Sequence, residues 1–307
     1  MSDFFNGGWS IYIAVVTLLG LGACLALLFI AARRKVVAGD NTTGHVWDDD
    51  LRELNNPLPL WWMGLFVATV LFSLAYLVFY PGLGSAEGSL KWSSTAQHAA
   101  EERDAAEATA PLYARLAALP AEQLAKDGQA MGVGERLFVN NCAMCHGSDA
   151  RGSKGFPDLT DSDWLHGGTP QKIEETIAKG RVGTMPPMAA AVGSAQDVHN
   201  VAQYVLSLSG SAHDSIAANL GRPKFAACAA CHGIDGKGNQ AIGAPNLTDN
   251  VWLHGWGEEA ITAMVNKGKT NVMPAHGSRL SAEQIHVLSA YVWNLSQPKG
   301  VAVAAGQ

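Results

Sequence analysis

The five residues Cys142-Ala-Met-Cys145-His146 recur 86 positions further on as Cys228-Ala-Ala-Cys231-His232, and this recurrence limits the fold of the chain more than any other feature. Past a two-residue insertion the match continues at an offset of 88. Pro157-Asp-Leu-Thr-Asp161 aligns with Pro245-Asn-Leu-Thr-Asp249, Trp164-Leu-His166-Gly with Trp252-Leu-His254-Gly, and Met185-Pro with Met273-Pro. Tyr204 and Tyr291 then match at 87. Self-similarity at a fixed period means two copies of one structural unit, placed here at residues 129–211 and 212–307.

The recurring residues specify a chemistry. Two thiols one helical turn apart, followed at once by an imidazole, form the spacing of c-type haem attachment. Each thiol bonds one vinyl group of the porphyrin, and the imidazole lies under the iron. Cys142, Cys145, Cys228 and Cys231 are therefore expected to hold two covalent haems c, with His146 and His232 as proximal ligands. A disulfide suits a two-residue gap poorly. The other alternative, one zinc site built from both pairs, has to bridge the 83 positions from Cys145 to Cys228 and leaves the two histidines unexplained.

A sixth ligand is expected late in each repeat, and the register offers Met185 and Met273, each followed by a proline that stiffens the loop. Each is expected to serve its own repeat. Their alternatives are core methionines, with Met188 and His276 as rival ligands. His/Met ligation raises the reduction potential and leaves no open position on the iron, which suits electron transfer rather than oxygen binding.

Other recurring residues carry two readings each. Trp164 and Trp252 are core residues or partners of a haem propionate. Arg181 and Lys269 are surface charges or propionate partners. His166, His254, His199 and His286 offer a bis-His alternative that the methionine loops make unnecessary. Val198–Leu208 and Ile285–Leu295 have the apolar spacing of an amphipathic helix closing each repeat.

Upstream of the repeats the charge disappears. Hydrophobic residues make up 48% of the 307 and charged residues only 16%. No charged residue lies between Asp3 and Arg33, and residues 9–32 are long enough to cross a hydrocarbon layer of ~30 Å. A second uncharged stretch spans 54–86, centred on Leu60–Tyr80, with Trp9, Tyr12, Trp61, Trp62 and Tyr80 near the ends of the two spans. These define residues 1–57 as a first membrane helix with its loop and 58–84 as a second helix. A cleaved signal peptide is disfavoured by Asp3 and by the absence of Lys or Arg ahead of the first span. Arg33, Arg34 and Lys35 place the following loop in the cytoplasm, which puts the N-terminus and the repeats in the periplasm. Cys24, inside the first span, reads as a packing residue. Residues 85–128, with Leu112, Leu116, Leu119 and Leu124 at helical spacing, read as a partly helical linker. The net charge of −6 gives no case for a nucleic-acid partner.

Each repeat resembles a class I cytochrome c domain, which implies a mainly α fold. The segments Thr43-Gly-His45-Val-Trp47-Asp48 and Asn55-Asn-Pro-Leu-Pro-Leu-Trp61-Trp62 extend the likeness to the whole chain, which resembles the dihaem CcoP/FixP subunits of cbb3-type cytochrome c oxidases. Many of those have a single membrane helix, so the anchor here is a variant. The resemblance implies electrons accepted from a soluble cytochrome c and passed through a monohaem cytochrome c subunit. They end at a haem b and copper centre in a separate catalytic subunit. Two other functions compete: a free-standing membrane cytochrome, and an enzyme such as a peroxidase acting at one haem.

Overall fold

The computed structural model describes residues 7–33, 39 and 41–298 and divides into two compact units, residues 1–108 and 109–307. Asp3, Arg34 and Lys35, on which the expected orientation leans, lie outside the described residues.

In the first unit α1 (Gly7–Ala32) and α2 (Leu60–Phe79) are the two apolar spans. At 1.5 Å per residue they measure about 39 and 30 Å, enough to cross a bilayer. The Ser85 amide donates to Ser10 Oγ at 2.7 Å, so the segment just after α2 lies beside the start of α1. Hydroxyls within α2 are satisfied by its own carbonyls, Thr69 by Phe66 and Ser73 by Thr69, as lipid requires. Cys24 is exposed along α1 and not packed inside the chain. A small apolar thiol needs no internal partner when lipid is the solvent. Between the spans, β1 (Thr42–Trp47) and β2 (Leu51–Leu54) pair antiparallel, where the sequence had suggested only a loop. Asp48 and Asp49 turn the chain in the left-handed region, a conformation acidic residues tolerate.

Helix α3 (Ser94–Ala117) is followed by α4 (Ala121–Leu124), and their leucines enter a core. Leu116 and Leu124 are fully buried with Ala130, Val133, Val287 and Ala290. The expected linker is thus partly structural, since its later residues are a wall of the second unit. The rest of that unit runs α5 (Gly128–Asn141), α6 (Ala143–His146), α7 (Pro170–Lys179), β3 (Arg181–Met185), α8 (Ala189–Val192) and α9 (Ala195–Leu208). The second repeat follows as α10 (Ser215–Gly221), α11 (Ala229–His232), α12 (Glu258–Lys267), β4 (Lys269–Met273) and α13 (Ala282–Leu295). Ser194 and Ser281 begin the two closing helices with full capping boxes, so the predicted closing segments are helical and sharply started.

The closing helices are exchanged. Helix α13 of the second repeat packs on α5 and α7 of the first, and α9 of the first packs on α10 and α12 of the second. Aromatic pairs repeat the crossing: Phe138 meets Tyr291 at 5.8 Å, and Tyr204 meets Phe225 at 5.3 Å. So do two glycines. Gly134 lies against Tyr291, and Gly221 against the backbone of Asn200, each leaving no room for a Cβ. Strands β3 and β4 mark the crossover, pairing antiparallel with Arg181 opposite Met273 and Met185 opposite Lys269.

Candidate haem sites

Each attachment motif sits on a single helical turn. Helix α5 is capped by Asp127, whose carboxylate accepts from the amides of Gln129 and Ala130 and pairs with Arg115 at 2.7 Å. It ends at Cys142, and α6 carries Cys145 and His146. Gly147, at φ 77°, reverses the chain straight after the imidazole. Cys228, α11 and Gly233 at φ 80° reproduce this arrangement in the second repeat.

The imidazoles are held in one tautomer. His146 Nδ1 donates to the Pro157 carbonyl at 3.1 Å, and His232 Nδ1 to the Pro245 carbonyl at 3.0 Å. In each ring Nε2 is left as the lone-pair nitrogen, the state a metal ligand needs. Both rings are buried, and loss of hydration holds their pKa values below the usual histidine value, against the opposing effect of the carbonyl bonds. Burial also pushes the Cys142 thiol up to about 11 and raises Cys228, so both are apolar wall residues at neutral pH.

The methionines stand on the opposite repeats. Met273 packs with Cys142 against Phe138, Ile173, Ile177 and Leu288, beside the first motif. Met185 packs with Cys228 against Phe225, Ile261 and Val265, beside the second. The expectation that each methionine faces its own repeat's motif therefore does not match the packing. Strands β3 and β4 carry each chain across to the other pocket, a topology that residue spacing does not encode. The segments just after the methionines anchor the same way: the Met188 amide donates to Val265 at 2.8 Å, and the His276 amide to Ile177 at 2.9 Å. Met188 lies on the wall of the second pocket. His276 is buried.

Apolar walls and two oriented imidazoles fit a flat macrocycle, and one donor fits its rim. Trp252 Nε1, beside the second pocket, is buried without a protein partner, which suits the indole of a propionate-binding tryptophan. Trp164 packs on the wall of the first pocket. Other candidates are occupied elsewhere. Arg181 pairs with Glu175 at 3.3 Å and with Thr176 Oγ1 at 2.9 Å. His199 bonds Glu258 at 2.6 Å, and His286 bonds Glu174 at 3.2 Å and the Leu119 carbonyl at 2.9 Å, so both brace one repeat to segments outside it. His254 Nε2 contacts the Asn271 side-chain amide at 2.8 Å. Asp161 and Asp163 have raised pKa values, chiefly through burial and also through nearby carboxylates, including Asp249 of the other repeat.

Membrane-spanning helices followed by two tandem cytochrome c domains define a membrane-anchored c-type cytochrome. Residues 129–205 and 224–292 match the family described as cytochrome c oxidase, cbb3-type, subunit III, and residues 39–87 match the N-terminal domain of cytochrome oxidase-cbb3, FixP. The chain is 66% identical to the cbb3-type cytochrome c oxidase subunit CcoP of Rubrivivax gelatinosus, over 98% of this chain and 99% of that one. It is 42% identical to subunit FixP of Azorhizobium caulinodans over 84% of this chain and 93% of that one, and 35% identical to subunit CcoP of Cereibacter sphaeroides over 83% and 94%. The chain belongs to the CcoP/FixP family, the electron-transferring cytochrome c subunits of cbb3-type cytochrome c oxidases.

Proposed function

We propose that this chain carries two haems c, bonded to Cys142 and Cys145 and to Cys228 and Cys231, and that each iron is held between the two repeats. His146 and Met273 ligate the first iron, and His232 and Met185 the second. The observation that supports this reading is the packing of each methionine on the wall that carries the other repeat's motif. The haems supply one-electron exchange between ferric and ferrous iron. The protein supplies the thioether anchors, fixes both imidazole tautomers and encloses each iron in apolar side chains. With both axial positions filled, the chain performs no oxygen chemistry and is a non-catalytic subunit.

The chain accepts electrons from a soluble cytochrome c and delivers them by way of a monohaem cytochrome c subunit to the catalytic subunit with haem b and copper. It crosses the bacterial inner membrane twice, with its N-terminus and haem domains in the periplasm. This orientation is supported by the Arg33–Lys35 charges between the spans. The test is capture of the tagged chain from membranes in mild detergent, with haem spectra and oxygen uptake from an artificial donor. Haem b and oxidase activity accompanying haem c are expected. A pure haem c spectrum without activity contradicts the oxidase role and returns the chain to a free-standing cytochrome.

A further inference from the structure

The β1–β2 hairpin has no role in holding haem, yet it is built in a way that calls for a cover. Trp47 and Leu51 oppose each other across the strands and are 64% and 61% exposed. Val46 and Leu54 are also mostly exposed. A two-stranded hairpin standing alone is marginal in water. The tip places Asp48, Asp49 and Asp50 in succession, the first two at φ 47° and 65°.

Two observations select the occupant. The hairpin belongs to the segment 39–87, which matches the N-terminal domain of cytochrome oxidase-cbb3, FixP, and precedes the cytochrome c domains in the sequence. It also ends only six residues before α2, within about 20 Å of a membrane surface. On the cytoplasmic side the anionic leaflet repels three carboxylates. The cytoplasmic rims of membrane proteins, by contrast, are enriched in Lys and Arg.

We propose that this hairpin docks on the cytoplasmic rim of another membrane subunit of the oxidase. Trp47 and Leu51 lie on an apolar surface of that subunit, and Asp48–Asp50 meet its basic side chains. The proposal rests on the orientation and oxidase membership given above.

Two variants of the full tagged chain test it in its own membranes: Trp47→Ala with Leu51→Ala, and Asp48→Lys with Asp49→Lys and Asp50→Lys. The second adds positive charge to the side the loop already occupies and so preserves topology. Haem b captured per haem c falls by about tenfold in each, the scale of losing an interface anchor, while haem c content and membrane location stay unchanged. Undiminished haem b in both variants overturns the docking. A wild-type capture without haem b strikes the oxidase reading instead. Hydrogen exchange over residues 42–54 then decides the docking separately. Protection in native membranes, but not for the purified chain in phosphatidylcholine/phosphatidylglycerol vesicles, supports a protein partner. Fast exchange in both, or protection in the vesicles alone, overturns it.

Discussion

Gly134 of the first repeat faces Tyr291 of the second so closely that a Cβ on the glycine falls 2.5 Å from the tyrosine Cβ. Helices α5 and α13 can cross only because that position has no side chain. Gly134→Ala forces the helices apart, an overpacking cost of about 1–3 kcal/mol. Thermal unfolding of the haem region should show a midpoint lower by several degrees for Gly134→Ala, and likewise for Gly221→Ala at the equivalent crossing with Asn200.

The segment around Leu116 is expected to behave as core and not as tether. Leu116 is fully buried among residues of α4, α5 and α13. Leu116→Ala should cost about 2–5 kcal/mol, whereas a substitution in a true linker costs almost nothing. Chemical denaturation followed by haem absorbance separates the two cases.

Trp252 bears on haem electrostatics. Its Nε1 donor has no protein partner, and in the proposed holoprotein it bonds a propionate of the haem on Cys228 and Cys231. Trp252→Phe leaves that propionate's negative charge less neutralised, which favours ferric iron. The potential of the second haem should therefore fall in a spectroelectrochemical titration, while the first stays in place.

Glu175 gives a pH signature. Hydrogen bonds from Lys172 and then Arg181 lower its pKa from 4.5 to about 2. A carboxylate depressed on folding contributes stability that is fully present above its unfolded pKa and is lost as pH falls through the folded value. The wild type should therefore lose stability between about pH 4.5 and pH 2 more steeply than Glu175→Gln, as read from unfolding midpoints against pH. The group is partly exposed, so the difference is small and shrinks with added salt.

Much of this architecture is legible in the sequence because it rests on local signals. Charge-free stretches mark α1 and α2, and the Cys-x-x-Cys-His spacing marks α6 and α11. Apolar spacing over Val198–Leu208 and Ile285–Leu295 marks the bodies of α9 and α13, though not their starts at Ser194 and Ser281. The exchange between repeats is not legible, because two copies of one unit present the same apolar faces whether each closes on itself or on its neighbour. Its trace lies in pairs such as Gly134 with Tyr291 and Gly221 with Asn200, which have meaning only once the partners are known. The same ambiguity hid which motif each methionine faces. The hairpin was missed for a different reason: its turn is formed by left-handed Asp48 and Asp49 and not by glycine.

Crossed ligation is the central claim, and it is tested most directly in a chain reduced to one haem. With Cys142→Ala and Cys145→Ala in place, the remaining haem sits on Cys228, Cys231 and His232. Adding Met185→Ala should abolish its far-red sulfur-to-iron absorption band and lower its potential, whereas adding Met273→Ala should leave both unchanged. Loss of the band on replacing Met273, with survival on replacing Met185, would contradict the account.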